Sequence, residues 1–227
     1  MGLFGIISTI IVYGLSLKLK QMRFFSKIPP ILFTGVLIIL VINILNISYS
    51  DYNSSASILT FLLGPATIAL AFPLVKNIDI LSKNKRAIWF GLVFAALTAI
   101  FSTYAIGKLL GTDLKVIMSM VPKSVTTPIA VEISKVIGGI PELTACVVIL
   151  TGIVGGLSGH RFLKFFGIKN NLSIGLSIGA TSHVLGTARC LEKKQEKQAA
   201  MSTLALIIVG ILTSIIAPLL LHLHFKV

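Results

Sequence analysis

Long apolar runs alternate with short polar joints along this chain. Residues 28–50, 52–75 and 87–107 carry no charge, and residues 198–225 carry none beyond two histidines. Each run matches or exceeds the roughly 20 helical residues needed to cross a hydrocarbon core. None alternates with the two-residue period of a barrel strand. The pattern predicts eight membrane segments, near residues 3–19, 30–48, 58–75, 87–110, 116–137, 143–159, 172–188 and 199–222. The first, sixth and seventh are short. The fifth and seventh contain helix breakers, so each is read as a broken or re-entrant helix. The expected fold class is all-α: a polytopic transmembrane helical bundle of about eight segments, two or three of them broken. We read residues 1–227 as one integral membrane domain, with scaffold helices in 1–57 and a core with the broken helices in 58–227.

Composition agrees with the bilayer as solvent. The chain is 55% hydrophobic, and only 12% of its residues are charged, against about 25% in soluble domains. Mean hydropathy is +0.98. The net charge of +13 sits in short basic clusters between apolar runs, which is the pattern of orienting loops. A nucleic-acid face would gather that charge in one patch, so nucleic acid is excluded as a partner. Lys18, Lys20, Arg23 and Lys27 mark one such loop, and Lys76, Lys83, Lys85 and Arg86 another. By the positive-inside rule both face the cytoplasm. The basic stretches at 160–169 and 189–197 pose a conflict. One crossing between them would put them on opposite sides. A segment 172–188 that enters and leaves at one face would keep them together.

Three segments offer chemistry. The first is PKSVTTPIAVEISKVIGGIP, residues 122–141. Pro122 and Pro128 interrupt helix and Gly138-Gly139 loosens the exit. Backbone groups freed in this way are costly in lipid and are tolerated beside protein or water. Lys123 supplies a charge, and Ser124, Thr126 and Thr127 supply hydroxyls. Beside a helix N-terminus they suit a small carboxylate. Glu132 and Lys135, three apart, pair on a helix. The alternative is a solvated loop. The second segment is GLSIGATSHVLGTARC, residues 175–190. On an unbroken helix Gly179, His183, Gly186 and Thr187 share a face. His183 there is a candidate proton carrier or carboxylate donor. Ser182 precedes it and Arg189 ends the segment. The alternative is a packed histidine and an interfacial arginine. The third, residues 62–77, carries Pro65, Thr67 and Pro73, which mark an interrupted helix.

The glycines of TGIVGGLSG, residues 151–159, read as tight helix packing, within the fold or between subunits. No nucleophile–base set or phosphate loop appears, and Cys146 and Cys190 have no metal-site spacing. No enzyme, cofactor or metal is expected.

The strings PATIALAFPLVKN, KSVTTPIA and SHVLGTAR, with the apolar sequence around them, resemble the LrgB/CidB family of bacterial membrane proteins. The resemblance covers nearly the whole chain. Val184 departs from it, standing where similar strings carry glycine. The resemblance implies an antiholin-like protein of the bacterial cell membrane. It would work with a small holin-like partner of the LrgA/CidA type and modulate murein hydrolase activity and autolysis. Related plant proteins export glycolate and glycerate, and some bacterial relatives move pyruvate. Two functions are therefore carried forward. One is a secondary carrier of small monocarboxylates with Lys123, Ser124, Thr126, Thr127, Ser182, His183, Thr187 and Arg189 as its site. The other is a non-transporting regulator of autolysis. A homo-oligomer is expected in either case.

Overall fold

The computed structural model describes residues 3–22, 30–62, 65, 82 and 84–224, with side chains up to residue 221. All ten of the described elements are helices: α1 (Phe4–Lys20), α2 (Pro30–Ile44), α3 (Tyr49–Ser55), α4 (Ser57–Phe61), α5 (Lys85–Leu109), α6 (Leu114–Met120), α7 (Thr127–Val136), α8 (Pro141–Phe165), α9 (Asn171–Glu192) and α10 (Glu196–His224). They form two compact units, residues 1–68 and 69–227.

Three helices are long and apolar enough to cross a membrane: α5, α8 and α10 over Glu196–Leu221. The pair α2 and α3, bent by 120°, makes a fourth candidate if counted as one span. The described residues thus carry three to four candidate spans, where sequence led us to expect about eight. Part of the difference lies in residues 58–75, most of which fall outside the described set. The rest has a physical cause. Two of the expected segments, 116–137 and 172–188, are folded back on themselves, and the N-terminal one, 3–19, is the 17-residue α1, too short to count as a span.

In the first unit, α1 packs on α2 and α3. Thr34 donates to Ser16 Oγ at 3.0 Å, and Thr9 and Tyr52 share a hydrogen bond of 2.7 Å. The Cα of Gly5 lies under residues 52–56, so close that a Cβ would stand 2.6 Å from the Tyr52 carbonyl. Ser48 caps α3 by accepting from the Asp51 N–H at 3.1 Å.

In the second unit, α5 ends at Gly111, whose φ of +68° admits glycine readily. Asp113 then caps α6, accepting from the Lys115 N–H at 2.8 Å. After Met120 the chain turns through Val121–Thr126, and α7 runs back. The return is visible at its base: the Ile140 N–H donates to Ser119 Oγ at 2.7 Å, and Thr144 bonds Ser134 at 2.7 Å. Residues 114–136 are therefore a helical hairpin that begins and ends beside the C-terminus of α5 and the N-terminus of α8.

The second hairpin is α9 itself. Its helix is broken at His183, where φ is +41° and ψ is −135°. Gly186 then lies against Ile178 and Ser182, and Cys190 packs with Ile174 and Ile178. On a straight helix residues 178 and 190 would be about 18 Å apart. Gly179 and Thr187 both meet Ser202 of α10 for the same reason. The arms, residues 171–182 and 184–192, start and finish together: Gln198 donates to Asn171 at 2.9 Å, and His160 at the end of α8 bonds Gln195 and Gln198.

The hairpins thus enter from opposite ends of one three-helix frame. Among the described residues, the end that holds the second hairpin's base carries Lys85, Arg86, Arg161, Lys164, Lys169, Arg189, Lys193, Lys194 and Lys197, with Glu192 and Glu196 as its acids. At the other end, among the described residues, Lys108, Lys115 and Lys135 are matched one for one by Asp113, Glu132 and Glu142. The two basic stretches that seemed to need opposite sides share one face because the chain between them doubles back.

Candidate functional site at the hairpin tips

Each tip is built from residues that cannot continue a helix or have a reason to stop. At the first tip, Pro122 is fully buried and Pro128 occupies the first turn of α7. The sequence leads us to expect that Pro128 interrupts a helix. It instead starts one, where no N–H is needed. The break comes earlier, at residues 121–126. Thr126 is the N-cap residue, with extended backbone, yet its side chain makes no capping bond. Its Oγ1 is buried and has no hydrogen-bond partner among the described residues. A buried hydroxyl left unpaired is costly.

Lys123 lies in the same tip, and its Nζ donates to Oγ1 of Thr103 on α5. Thr103 in turn donates to the Ala99 carbonyl at 2.7 Å. The ion pairs among the described residues, Lys135–Glu132 and Arg189–Glu192, do not involve Lys123. A largely buried ammonium thus stands without a counter-charge among the described residues. Ser124 and Val125 are buried beside it.

At the second tip, His183 is 3% exposed. Its Nε2 lies 3.0 Å from the Val148 carbonyl of α8. A carbonyl only accepts, so Nε2 carries the proton and donates. Non-glycine residues rarely adopt this backbone geometry, and it persists here because its surroundings hold it. A Cβ on Gly152 would stand 2.5 Å from the imidazole Cε1, and one on Gly155 would strike the Ser182 side chain. The glycine stripe of α8 is therefore filled by this chain's own hairpin. Thr187 starts the returning arm by donating to the His183 carbonyl at 3.0 Å, so at 2.7 Å it accepts from Ser202.

The tips reach the same depth. Lys123 meets α5 six residues from the end at Leu109, and His183 meets α8 seven residues from Pro141. Both lie about 10 Å in from the acid-balanced end. Val125 and Ala130 of the first hairpin share one apolar cluster with Ala180 of the second, Val148 of α8 and Leu204, Ala205 and Val209 of α10.

Not every expected site residue gathers there. Arg189 sits at the basic end of the returning arm, paired with Glu192 at 2.7 Å. Gly179, His183, Gly186 and Thr187 do not share one helical face, because the face ends at the break. Gly138 and Gly139 close the base of the first hairpin, not its tip. Gly138 has φ +80°, and Gly139 rests on Ser119 and Ser134. Pro65 is exposed, and Thr67 and Pro73 lie outside the described residues. Two contributors were missed, Thr103 and the Val148 carbonyl. The first had a faint signal in the polar trio Ser102-Thr103-Tyr104 within an apolar run. The second, a backbone group, had none.

Thr103→Val keeps the shape and removes the acceptor for Lys123, whereas Thr103→Ser keeps the acceptor. Hydrogen bonds to charged groups contribute about 1.5–3 kcal/mol. We expect the valine variant to melt at a lower temperature in detergent than the serine variant, and differential scanning fluorimetry of the pair checks this. Equal melting temperatures would show that the Lys123–Thr103 bond carries no weight.

Two half-helix hairpins inserted from opposite ends into a frame of membrane-length helices define an integral membrane protein with broken-helix architecture. Sequence comparison gives the family. A profile of the LrgB-like family matches residues 9–223, and the chain belongs to that family. It is 36% identical over 217 residues to the antiholin-like protein LrgB of Bacillus mycoides, covering 95% of this chain and 94% of that protein. The antiholin-like LrgB proteins of Bacillus cereus and Bacillus anthracis are each 35% identical over the same length, with the same coverage. No solved structure matches the chain.

Proposed function

We propose that this protein is a secondary carrier of small monocarboxylates, of the size of pyruvate, lactate or glycolate, in the bacterial cell membrane. The observation that supports this most is the Lys123 ammonium, which has no ion-pair partner among the described residues, in the same tip as the unpartnered Thr126 hydroxyl at the N-terminus of α7. That terminus presents the positive end of its peptide dipoles. The returning arm of α9 starts at the same depth and brings a second such terminus. Carriers place half-helix N-termini at an anionic substrate in this way. A carboxylate between the tips would accept from Lys123 and from the Thr126 and Thr127 hydroxyls. Ser124 and Ser182 would line the site. His183 would hold the second tip against α8 and offer Nδ1 to a substrate hydroxyl or to a proton. Alternating access would follow as the hairpins shift against the frame. A small LrgA/CidA-type partner and self-association belong to this reading as expectations from the family.

The curated names of the relatives favour a second reading, a regulator of autolysis that does not transport. It would leave the buried ammonium without a purpose. It also would not use the Gly152–Gly156 stripe for a partner, because the stripe is occupied from within.

The test is flux. Purified protein is reconstituted in liposomes with and without the small partner, and uptake of labelled pyruvate and glycolate is followed under an imposed pH gradient. A Lys123→Ala/His183→Ala double variant runs alongside. We expect saturable uptake that the double variant loses. Absence of uptake from folded protein bound to its partner would favour the regulator.

A further inference from the structure

A cleft of about 340 Å³ lies between α5 and the first arm of α9, at the basic end of the frame. Its mouth is at Asn84 and Asn170, and its inner end is at Ala95 and Ala180. Ala180 is three residues short of His183, so the cleft stops about one turn below the second tip. On α5 it is opened by small residues spaced four apart, Ala87, Gly91 and Ala95. A Cβ on Gly91 would meet nothing within 4 Å.

The arm that faces them presents Ser173 and Ser177, one turn apart. Many hydroxyls on the helices of this unit are returned to the backbone, though Thr98 and Thr151 on the frame are not. Thr103, Thr144, Thr181 and Thr203 each bond the carbonyl four residues back. That satisfies a hydroxyl in lipid, where no other partner exists. The hydroxyls of Ser173 and Ser177 make no hydrogen bond among the described residues. Ser173 is exposed near the mouth and Ser177 is half-buried one turn further in, so the cleft wall carries two open hydroxyls along its length.

The frame's asymmetry points the same way. The tips lie about 10 Å from the acid-balanced end, so the longer route to them starts at the basic end, and the cleft occupies it. We propose that this cleft is the water-filled vestibule by which a small anion passes between the basic face and the hairpin tips, with Ser173 and Ser177 as its hydrogen-bonding wall. The proposal rests on the carrier reading of the tips. At the mouth the side-chain Oδ1 of Asn170 caps α9 by accepting from the Leu172 and Ser173 N–H groups.

The experiment uses single cysteines in the full chain with the exposed Cys146 changed to serine and the buried Cys190 retained. Gly91→Cys and Ser177→Cys test the cleft. Lys169→Cys is the aqueous reference on the basic face. Phe94→Cys, on an α5 side chain 71% exposed, is the lipid-facing reference. Inverted membrane vesicles are treated with a membrane-impermeant sulfonated thiosulfonate or with an apolar, permeant maleimide. We expect Gly91→Cys and Ser177→Cys to react with the sulfonate at rates close to that of Lys169→Cys, while Phe94→Cys reacts only with the maleimide. We expect modification at either cleft position to abolish saturable uptake, and pyruvate to slow the reaction at Ser177→Cys. Reaction of the cleft cysteines with the maleimide alone would make the cleft a lipid groove and overturn the proposal. So would modification by the sulfonate that leaves uptake unchanged. Should the unmodified protein show no uptake, it is the carrier reading that fails. The sulfonate reaction then still decides, separately, whether the cleft holds water.

Discussion

Replacing Gly179 by valine is expected to unseat the second hairpin. A Cβ at that position would stand 2.7 Å from the carbonyl carbon and the Cα of Ser202. Those are backbone atoms of α10 and cannot swing aside as a side-chain end can. Accommodating the new carbons means pushing the arm off α10, and with it goes the Thr187–Ser202 bond. Overpacking of this kind costs about 1–3 kcal/mol and sometimes more. The position sits at the centre of the hairpin's contact, so the upper part of that range applies. A domain of this length loses about 2–4 °C in Tm per kcal/mol, and thermal unfolding in detergent reads the fall directly. Gly14→Ala is the matched control. It lies within α1 with nothing near its would-be Cβ. Glycine inside a helix costs roughly 0.5–1 kcal/mol relative to alanine, so that variant should hold or raise Tm. An unchanged Tm for Gly179→Val would mean that α9 and α10 are not packed as closely as described.

Replacing Lys123 by methionine is expected to remove uptake while preserving the fold. Methionine keeps the reach and apolar stem of lysine and drops the charge. If the ammonium holds the substrate carboxylate, the loss is that of a charge-assisted hydrogen bond, about 1.5–3 kcal/mol. At 1.4 kcal/mol per factor of ten that is about 10- to 150-fold in transport efficiency. Stability should move the other way or not at all. A largely buried ammonium without a counter-ion carries a desolvation penalty that methionine does not. Uptake kinetics and thermal unfolding measured on the same preparation separate the two effects. Reduced uptake with an equal or higher Tm supports an anion site at Lys123. Full uptake would remove Lys123 from the site, and reduced uptake with a collapsed Tm would make it a structural residue.

The class of this protein was legible from residue order alone. Uncharged runs as long as the bilayer is thick leave no other solvent that satisfies them. The break at the first tip was legible through Pro122, which acts on its own backbone whatever surrounds it, whereas Pro128 proved to start a helix and not to interrupt one. The glycines of α8 were read as packing positions, which they are, but their partner was not named by the sequence. Small residues reveal that something comes close and not what it is.

Tertiary structure decided the rest. The flanking charges called for a reversal somewhere in residues 172–188, but nothing local fixes it at His183, and Val184 is a stiff, β-branched neighbour. The reversal is held by distant groups: the Val148 carbonyl that accepts from the imidazole, the flat faces of Gly152 and Gly155, and Ser202 against both Gly179 and Thr187. Thr103 was likewise hidden, since its value lies in a lysine twenty residues away. Apolar length and proline act through the chain's own backbone and can be read in order. A strained dihedral and a buried ammonium are set by what packs against them, and only the folded chain brings those groups together.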